Sequence, residues 1–407
     1  MKKNVITIIL VFLVFTGCYF LYILVLKQTP KIDQNETVES EKNEAKIDTK
    51  KEKITLENLS YNFNDKVYLR DLTGIETNET LDTITLGDNT YNFENYEIKY
   101  SVVDNVKPLI LGGSSVTVYT GSSETTVVNK YLCGDNQTSK PDCHIEGNFD
   151  LNKVGEYKVK YIARDDSGNE ESKDFKLIVK KKPKSSSSSS SSSSKPKIDV
   201  QTYIDKYKNE NTMIAVDVSV WQGDINFSKV KKDGVEAAII RLGYGPSSGK
   251  LKLDSKFKAN LKGFKEQKIP VGVYFYSYAK TKEDVKEQAD FIVKNLEGQT
   301  LELPIAFDWE NWGSFNKYNL SFKDLNDLYL TFKEELGKHG YNTMLYSSAY
   351  YLNKLWDVHN NTWVAYYTSN NDFKKEYMMW QATSRGKVSG ISGPVDINVI
   401  YQNKIKN

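Results

Sequence analysis

Ten consecutive serines, Ser185–Ser194, flanked on both sides by lysine and proline, divide the 407-residue chain. Such a run has no apolar surface to bury and behaves as flexible polymer. The sequence on either side must therefore find its own core, which makes the chain multidomain. With its flanks the linker is taken as 181–210. About 20 flexible residues reach near 25 Å, so the part behind the linker is expected to search a surface while tethered.

The N-terminal side holds several kinds of sequence. Val5–Leu26 carries no charge over 22 residues. At 1.5 Å per residue this spans about 33 Å, enough for a bilayer core of about 30 Å. Lys2 and Lys3 precede it, which favours an inside N-terminus. The expectation is a transmembrane anchor over 1–26, giving a single-pass protein in the cell membrane with its C-terminal domains extracytoplasmic. Phe15-Thr16-Gly17-Cys18 leaves lipoprotein processing at Cys18 open as an alternative, and a cleaved signal as another. Residues 27–53 mix Lys, Glu, Asp and Asn without an aromatic residue and read as a disordered stalk.

Strand patterns follow. Tyr96, Ile98, Tyr100 and Val102 alternate with polar residues, so 54–103 reads as a small β-rich region. In 104–180, Val116 and Val118 alternate with Thr117 and Tyr119, and Tyr157, Val159 and Tyr161 alternate with lysines. Asp166-Ser167-Gly168-Asn169 is a turn, followed by a strand with Phe175, Leu177 and Val179. Short strands at this spacing suggest a β-sandwich. The stretch from Val154-Gly155-Glu156-Tyr157 to Asn169 resembles the end of bacterial immunoglobulin-like surface modules. Cys133 and Cys143 stand in a polar loop of this region and read as a disulfide.

Scarcity excludes several chemistries. The only histidines are His144, His339 and His359, and the only cysteines Cys18, Cys133 and Cys143. No CxxC, HExxH or clustered spacing offers a metal site, and no phosphate loop or nucleophile elbow occurs. No metal and no cofactor are expected. A net charge of +2 without a basic block argues against a nucleic-acid partner.

Behind the linker, over 211–402, strand and helix patterns alternate. Strands are expected at Met213–Val218, Ala237–Leu242, Val271–Tyr278, Leu303–Phe307, Thr343–Tyr346, Thr362–Tyr366, Met378–Ala382 and Val395–Val399. Helices are expected at Phe257–Glu266, Lys282–Leu296 and Phe322–His339. Eight strands with intervening helices suggest a parallel α/β barrel. The later spacings are too short for full helices, so an abbreviated TIM-like (β/α) barrel is expected.

Catalytic residues of such barrels sit at the C-terminal ends of strands. Asp217 follows Ile214-Ala215-Val216, Asp308 and Glu310 follow Ile305-Ala306-Phe307, and Asp396 lies in Val395-Asp396-Ile397-Asn398. The i, i+2 spacing of Asp308 and Glu310 turns both carboxyls to one face of a strand, with Trp309 on the other. Adjacent carboxyls push their pKa values apart, which supplies the acid and the ionised partner that glycosidic cleavage needs. All six tryptophans lie in this part of the chain. Trp221, Tyr244, Tyr274, Tyr276, Trp363, Tyr366 and Trp380 are the candidates for packing against sugar rings.

At these residues the chain resembles the glycoside hydrolase family 25 lysozymes, the N-acetylmuramidases. Asp217-Val218-Ser219-Val220-Trp221-Gln222-Gly223 looks like the family's opening strand, and Phe307-Asp308-Trp309-Glu310 like its D-x-E strand. Gly272-Val273-Tyr274-Phe275-Tyr276 looks like the tyrosine-bearing third strand, with Phe275 where a histidine is often found. Trp380-Gln381 and Val395-Asp396-Ile397-Asn398 match the last two strands. The resemblance implies a barrel acting on peptidoglycan at the β-1,4 bond from N-acetylmuramic acid to N-acetylglucosamine. It implies Glu310 as general acid, Asp308 as the group that stabilises or positions the developing cation, and Asp217 and Asp396 as orienting acids. A non-catalytic cell-wall glycan-binding or adhesion protein, and a hydrolase of another N-acetylhexosamine glycan, stand as alternatives.

Overall fold

A computed structural model describes residues 52–182, 197–246, 250–357 and 361–405. The chain divides into two units, Met1–Ile54 and Thr55–Asn407. Nearly all of the first lies outside the described residues.

In the second unit the first sheet has three strands, β1 (Ile54–Asn62), β2 (Gly87–Phe93) and β3 (Tyr96–Val103), in the order β1-β3-β2. Ile98, Tyr100 and Val102, the alternating apolar set of β3, pack with Leu69 of helix α1 (Leu69–Thr73) and with Leu81. The next region contains β4 (Leu109–Leu111), β5 (Ser115–Tyr119), helix α2 (Glu124–Val128), β6 (Leu132–Gly134), β7 (Asp142–Glu146), β8 (Gly155–Arg164) and β9 (Glu170–Lys180). Strands β5-β9-β8-β7 form one sheet and β4-β6 a separate ribbon packed against it.

Two expectations are corrected here. An immunoglobulin-type sandwich sets about seven strands in two antiparallel sheets. Residues 104–180 form a four-stranded sheet, in which β5 pairs with β9 in parallel, and a two-stranded ribbon. The segment between β5 and β7 goes into α2, the short β6 and a polar loop rather than into further long strands. The second correction concerns the membrane. The anchor over 1–26 and nearly all of the stalk over 27–53 fall outside the described residues. Among the described residues no helix is long and apolar enough to cross a membrane. The longest, α7 (Phe322–Gly337) with 16 residues, spans about 24 Å and is amphipathic. Among the described residues the transmembrane helix, the membrane as partner and the single-pass localisation therefore have no spanning helix to rest on, and they are not carried further.

The barrel opens with β10 (Ile198–Asp199) and helix α3 (Gln201–Tyr207). Its eight staves are β11 (Thr212–Val218), β12 (Ala237–Gly245), β14 (Val271–Ser277), β15 (Ile305–Trp309), β16 (Thr343–Ser348), β17 (Thr362–Ala365), β18 (Met379–Lys387) and β19 (Val395–Tyr401). The short β13 (Lys252–Leu253) pairs with β12 outside this ring. Helices α4 (Phe227–Lys232), α5 (Phe257–Glu266), α6 (Lys282–Leu296), α7 and α8 (Ala349–Leu352) cover the outside. The staves β11, β12 and β14 to β18 run parallel, while β19 is antiparallel to both β18 and β11 and closes the ring. Connection length explains the exception. Only residues 388–394 join β18 to β19, and a parallel crossover needs a dozen or more.

Period-two patterning fixes which side chains face inward. On β15, Ile305, Phe307 and Trp309 join the core under the helices, while Ala306 belongs to the barrel interior. The interior is apolar at its base, with Ala215, Ala237, Ile239, Met344, Met379 and Ile400. Toward the C-terminal ends of the parallel strands the inward positions become Asp217, Arg241, Tyr276, Asp308 and Gln381. The antiparallel β19 starts at that same end and contributes Asp396, opposite Asp217.

The barrel does not hang free on its linker. Gly134 of β6 lies so close to Phe315 and Phe322 that an added Cβ would stand 2.8 and 2.7 Å from their rings. The Asn316 side chain accepts from the Cys133 amide at 3.0 Å and donates to the Tyr131 carbonyl at 3.0 Å. Leu111 and Leu132 belong to the barrel's own core. The expected tethered search is thus opposed by direct packing between the β-rich region and the barrel.

Candidate active site

Four carboxyl groups meet at the C-terminal mouth of the barrel. Asp217, on β11, is the most heavily bonded. Its Oδ2 accepts from Asn398 Nδ2 at 2.8 Å and from Gln381 Nε2 at 3.1 Å. It is also hydrogen bonded to the carboxyl of Asp396. Each amide is turned by aromatic donors. The indole of Trp363 donates to Asn398 Oδ1 at 2.8 Å. The Tyr346 and Tyr367 hydroxyls donate to Gln381 Oε1 at 2.9 and 2.8 Å.

Burial raises the pKa of Asp217, and the donors from Asn398, Gln381 and Asp396 work against that rise. Burial, then the Asp217 charge, pushes Asp396 up to about 9. The two acids share a proton as a coupled pair, and the two amide donors on Asp217 make it the better acceptor of that shared hydrogen bond.

Asp308 points into the same space from β15, beside Tyr276 on β14 and Tyr346 on β16 in the strand register. Burial and the charges of Glu310 and Asp217 hold its carboxyl well above the usual range, while Arg241 opposes them. Its Oδ1 has no hydrogen-bond partner in the protein. Glu310 follows directly after β15 and lines an open cleft with Tyr346, Tyr350, Tyr366, Tyr367 and Asp372. Burial raises its pKa, and a hydrogen bond from Tyr346 lowers it in part. A group of buried acids holding protons above the ordinary carboxylate range, with one member on a cleft, has the form of a proton donor beside an ionisable stabiliser.

The expected ring-binding residues divide into two sets. Trp221, in the 3₁₀ turn after β11, is 80% exposed at this mouth. Tyr244, Tyr274, Tyr276 and Tyr366 are half-buried. Tyr244 lies under the Arg241 guanidinium, 5.4 Å from its ring centre. Trp363 and Trp380 are fully buried, and neither ring offers a face to a ligand. Trp363 belongs to the interior network, and Trp380 donates to the Tyr366 carbonyl at 2.7 Å. Phe275 faces outward against Phe291 of α6 at 6.1 Å between ring centres, on the opposite face from Tyr274 and Tyr276, so its identity does not alter the mouth.

Arg241 and Tyr346 did not stand out in the sequence as members of the site, and the hydrogen-bonding roles of Tyr367, Gln381 and Asn398 were not visible there. All but Tyr367 occupy inward positions two residues along their strands from a small or apolar interior residue, which is the one signal that could have found them. Arg241 is held by the fully buried Asp254 carboxylate, with Nη2 and Nε each 2.7 Å from Oδ2.

A closed eight-stranded β/α barrel with clustered carboxyls at the C-terminal strand ends defines the class: a barrel of glycosidase type. Residues 216–391 match the sequence model of the glycosyl hydrolases family 25. The C-terminal part of the chain is a glycoside hydrolase family 25 catalytic domain. It is 26% identical over 193 residues to the autolytic lysozyme of Clostridium acetobutylicum, covering 46% of this chain and 55% of the relative. It is 28% identical over 202 residues to lysozyme M1 of Streptomyces globisporus, covering 45% and 66%. The chain thus spans about half the length of the clostridial relative. Among solved structures, the modular autolysin LytC from Streptococcus pneumoniae gives a TM-score of 0.42 at 25% identity over 60% of this chain and 56% of its own. A family 25 glycosyl hydrolase from Bacillus anthracis gives 0.41 at 24% identity, over 46% and 88%.

Proposed function

We propose that the chain hydrolyses the β-1,4 bond between N-acetylmuramic acid and N-acetylglucosamine in peptidoglycan. The observation that carries this reading is the position of Glu310: on the open cleft, its pKa raised by burial, two residues beyond the buried Asp308. The family match, and relatives named as lysozymes, support the choice of substrate.

In this reading Glu310 gives its proton to the glycosidic oxygen as the C1–O bond breaks and the bonding electrons pass to that oxygen. Positive charge grows at C1. Asp308 stabilises it as a carboxylate, or through the sugar's acetamido group, whose N–H the unpartnered Oδ1 can accept. The raised pKa of Asp308 is then part of the catalysis, because the developing cation favours the ionised form that burial opposes. Water adds to C1 and returns a proton to the site. Asp217 and Asp396 act at one remove as the hydrogen-bonded charge that fixes Gln381 and Asn398. Trp221, Tyr244, Tyr274, Tyr276 and Tyr366 are proposed as the sugar-facing rings.

The test is release of reducing ends and muropeptides from purified peptidoglycan by the full chain, alongside chitin oligomers and a Glu310→Gln variant. Release from peptidoglycan that Glu310→Gln abolishes supports the proposal. Cleavage of chitin alone would assign another N-acetylhexosamine glycan. Retained binding with no new reducing end would make the domain a glycan-binding module.

A further inference from the structure

A second group of acids lies outside the barrel. Asp104 follows β3, Asp135 follows β6, and Asp165 follows β8 at the start of the Asp165–Asn169 turn. They are far apart in sequence, yet each offers an oxygen within 4.8 Å of the others. All three are buried, with 6%, 1% and 6% of their surface exposed.

Hydrogen bonds account for only part of this cluster. Asp135 Oδ2 accepts from the Gln137 and Thr138 amides, both at 2.8 Å. Asp104 Oδ1 accepts from the Val106 amide at 3.1 Å and from Asn136 Nδ2 at 3.3 Å. Asp165 is occupied by the amide and side chain of Asn169, at 2.7 and 2.9 Å. The remaining oxygens of Asp104 and Asp135, and the side-chain oxygen of Asn136, are buried with no partner. The charges that act on Asp135 are those of the other two acids, with no cation among them. Burial, followed by the charges of Asp104 and Asp165, pushes the Asp135 carboxyl up. Carboxylates gathered in a buried site repel one another, and unpartnered buried oxygens call for a ligand.

We propose that Asp104, Asp135 and Asp165, with the Asn136 side-chain oxygen, hold one calcium ion at the junction between the β-rich region and the barrel. Calcium binds six to eight oxygens at about 2.3–2.6 Å, so ligands on opposite sides of one ion stand about 4.6–5.2 Å apart. Carboxylate oxygens that all lie within 4.8 Å of one another fit that span. An all-oxygen set without histidine or cysteine excludes a zinc-type site. Magnesium, which keeps several waters and demands octahedral geometry, is the poorer fit to three converging buried carboxylates.

The place gives the ion a task. The Asp135 carbonyl accepts the Phe322 amide at 2.7 Å and the Asn136 carbonyl accepts the Lys323 amide at 3.2 Å. Those two amides belong to the first turn of α7, which packs on the barrel. The loop that would bind calcium thus also caps a barrel helix, and Asp104 brings in the connection from the first sheet. An ion here fixes three elements to one another.

Calorimetric titration of calcium into the chelator-stripped full chain tests this, followed by melting with and without the ion. One ion per chain is expected, with a Kd of about 10⁻³ M or tighter, a higher melting midpoint, and at least about tenfold weaker magnesium binding. Asp165→Asn and Asp104→Asn should each weaken calcium at least about tenfold, while Asp217→Asn in the barrel leaves the affinity unchanged. Absence of both heat and midpoint shift at about 10 mM calcium, or unchanged affinity in both junction variants, overturns the proposal. Should those variants fail to fold, the wild-type chain decides alone, by whether its midpoint rises with calcium and falls on chelation.

Discussion

Trp363 donates its indole N–H to Asn398 Oδ1 at 2.8 Å, and that single bond decides which end of Asn398 faces Asp217. An indole nitrogen can only donate. The amide must therefore present its oxygen to Trp363 and its NH₂ to Asp217, whose charge it then supports.

Trp363→Phe removes the donor and keeps the ring. Asn398 is left with a buried, unpaired oxygen, which costs about 1–3 kcal/mol of stability. With its amide free to turn, Asp217 loses a fixed partner. The expected result is a fall in kcat of about tenfold or more, with KM little changed, because the ring touches no substrate. Steady-state kinetics on soluble glycan fragments, paired with thermal melting, check both parts. A large rise in KM at constant kcat would return Trp363 to the sugar-binding set.

Tyr346 stands between Glu310 and Gln381, hydrogen bonded to both. When Glu310 is ionised the hydroxyl can donate to it, and when Glu310 is protonated it can accept from it and donate to Gln381. Its bond to the carboxylate lowers the Glu310 pKa, so Tyr346→Phe raises that pKa further above the ordinary value. Activity that requires protonated Glu310 declines as pH rises through its pKa. The basic limb of the kcat/KM profile should therefore move to higher pH in the variant, with the maximum about tenfold lower. A basic limb that moves to lower pH would contradict the role assigned to Tyr346.

Asp396 holds its proton up to about 9, whereas an unfolded aspartate titrates near 3.9. The folded state binds this proton more tightly, so the stability it contributes is complete below about pH 3.9 and is lost as pH rises toward about 9. Asp396→Asn removes the titration and keeps an N–H donor for Asp217. The variant should match the wild type near pH 4 and melt at a higher temperature than it near pH 8. Melting curves across that range measure the difference. An equal deficit at every pH would mean that shape, not the proton, matters at this position.

Much of the barrel was legible because its strands are short, apolar and separated by capped amphipathic helices. The helices Phe257–Glu266 and Lys282–Leu296 begin and end where the periodicity places them. The four acids were legible as interruptions of apolar strands. Arg241 was not, nor were the roles of Gln381 and Asn398, since one polar residue at an inward position looks like any other until ring closure sets it against Asp217. Trp363 and Trp380 misled for the reverse reason, because an aromatic residue that closes a core has the same sequence signature as one that holds a sugar. The β-rich region was least legible. Its strands alternate correctly, but whether they form one sheet or two depends on the polar segment 135–141, whose geometry is set by long-range contacts to Asp104 and to the barrel.

The Cys133–Cys143 disulfide gives the last expectation. It joins β6 to β7 across a separation of 10 residues, with Cα atoms 6.5 Å apart. Closing a loop of this size stabilises by roughly 2–3 kcal/mol. β6 also carries Gly134 against Phe315 and Phe322, and Cys133 donates its amide to Asn316, so the strand the disulfide secures is the strand that meets the barrel. Reduction, or a Cys133→Ser/Cys143→Ser double variant, should therefore lower the stability of both parts together by about that amount. Differential scanning calorimetry should record one transition moved to lower temperature. Two transitions, with that of the barrel unmoved, would mean that the packing at Gly134 and Asn316 does not couple the two parts energetically.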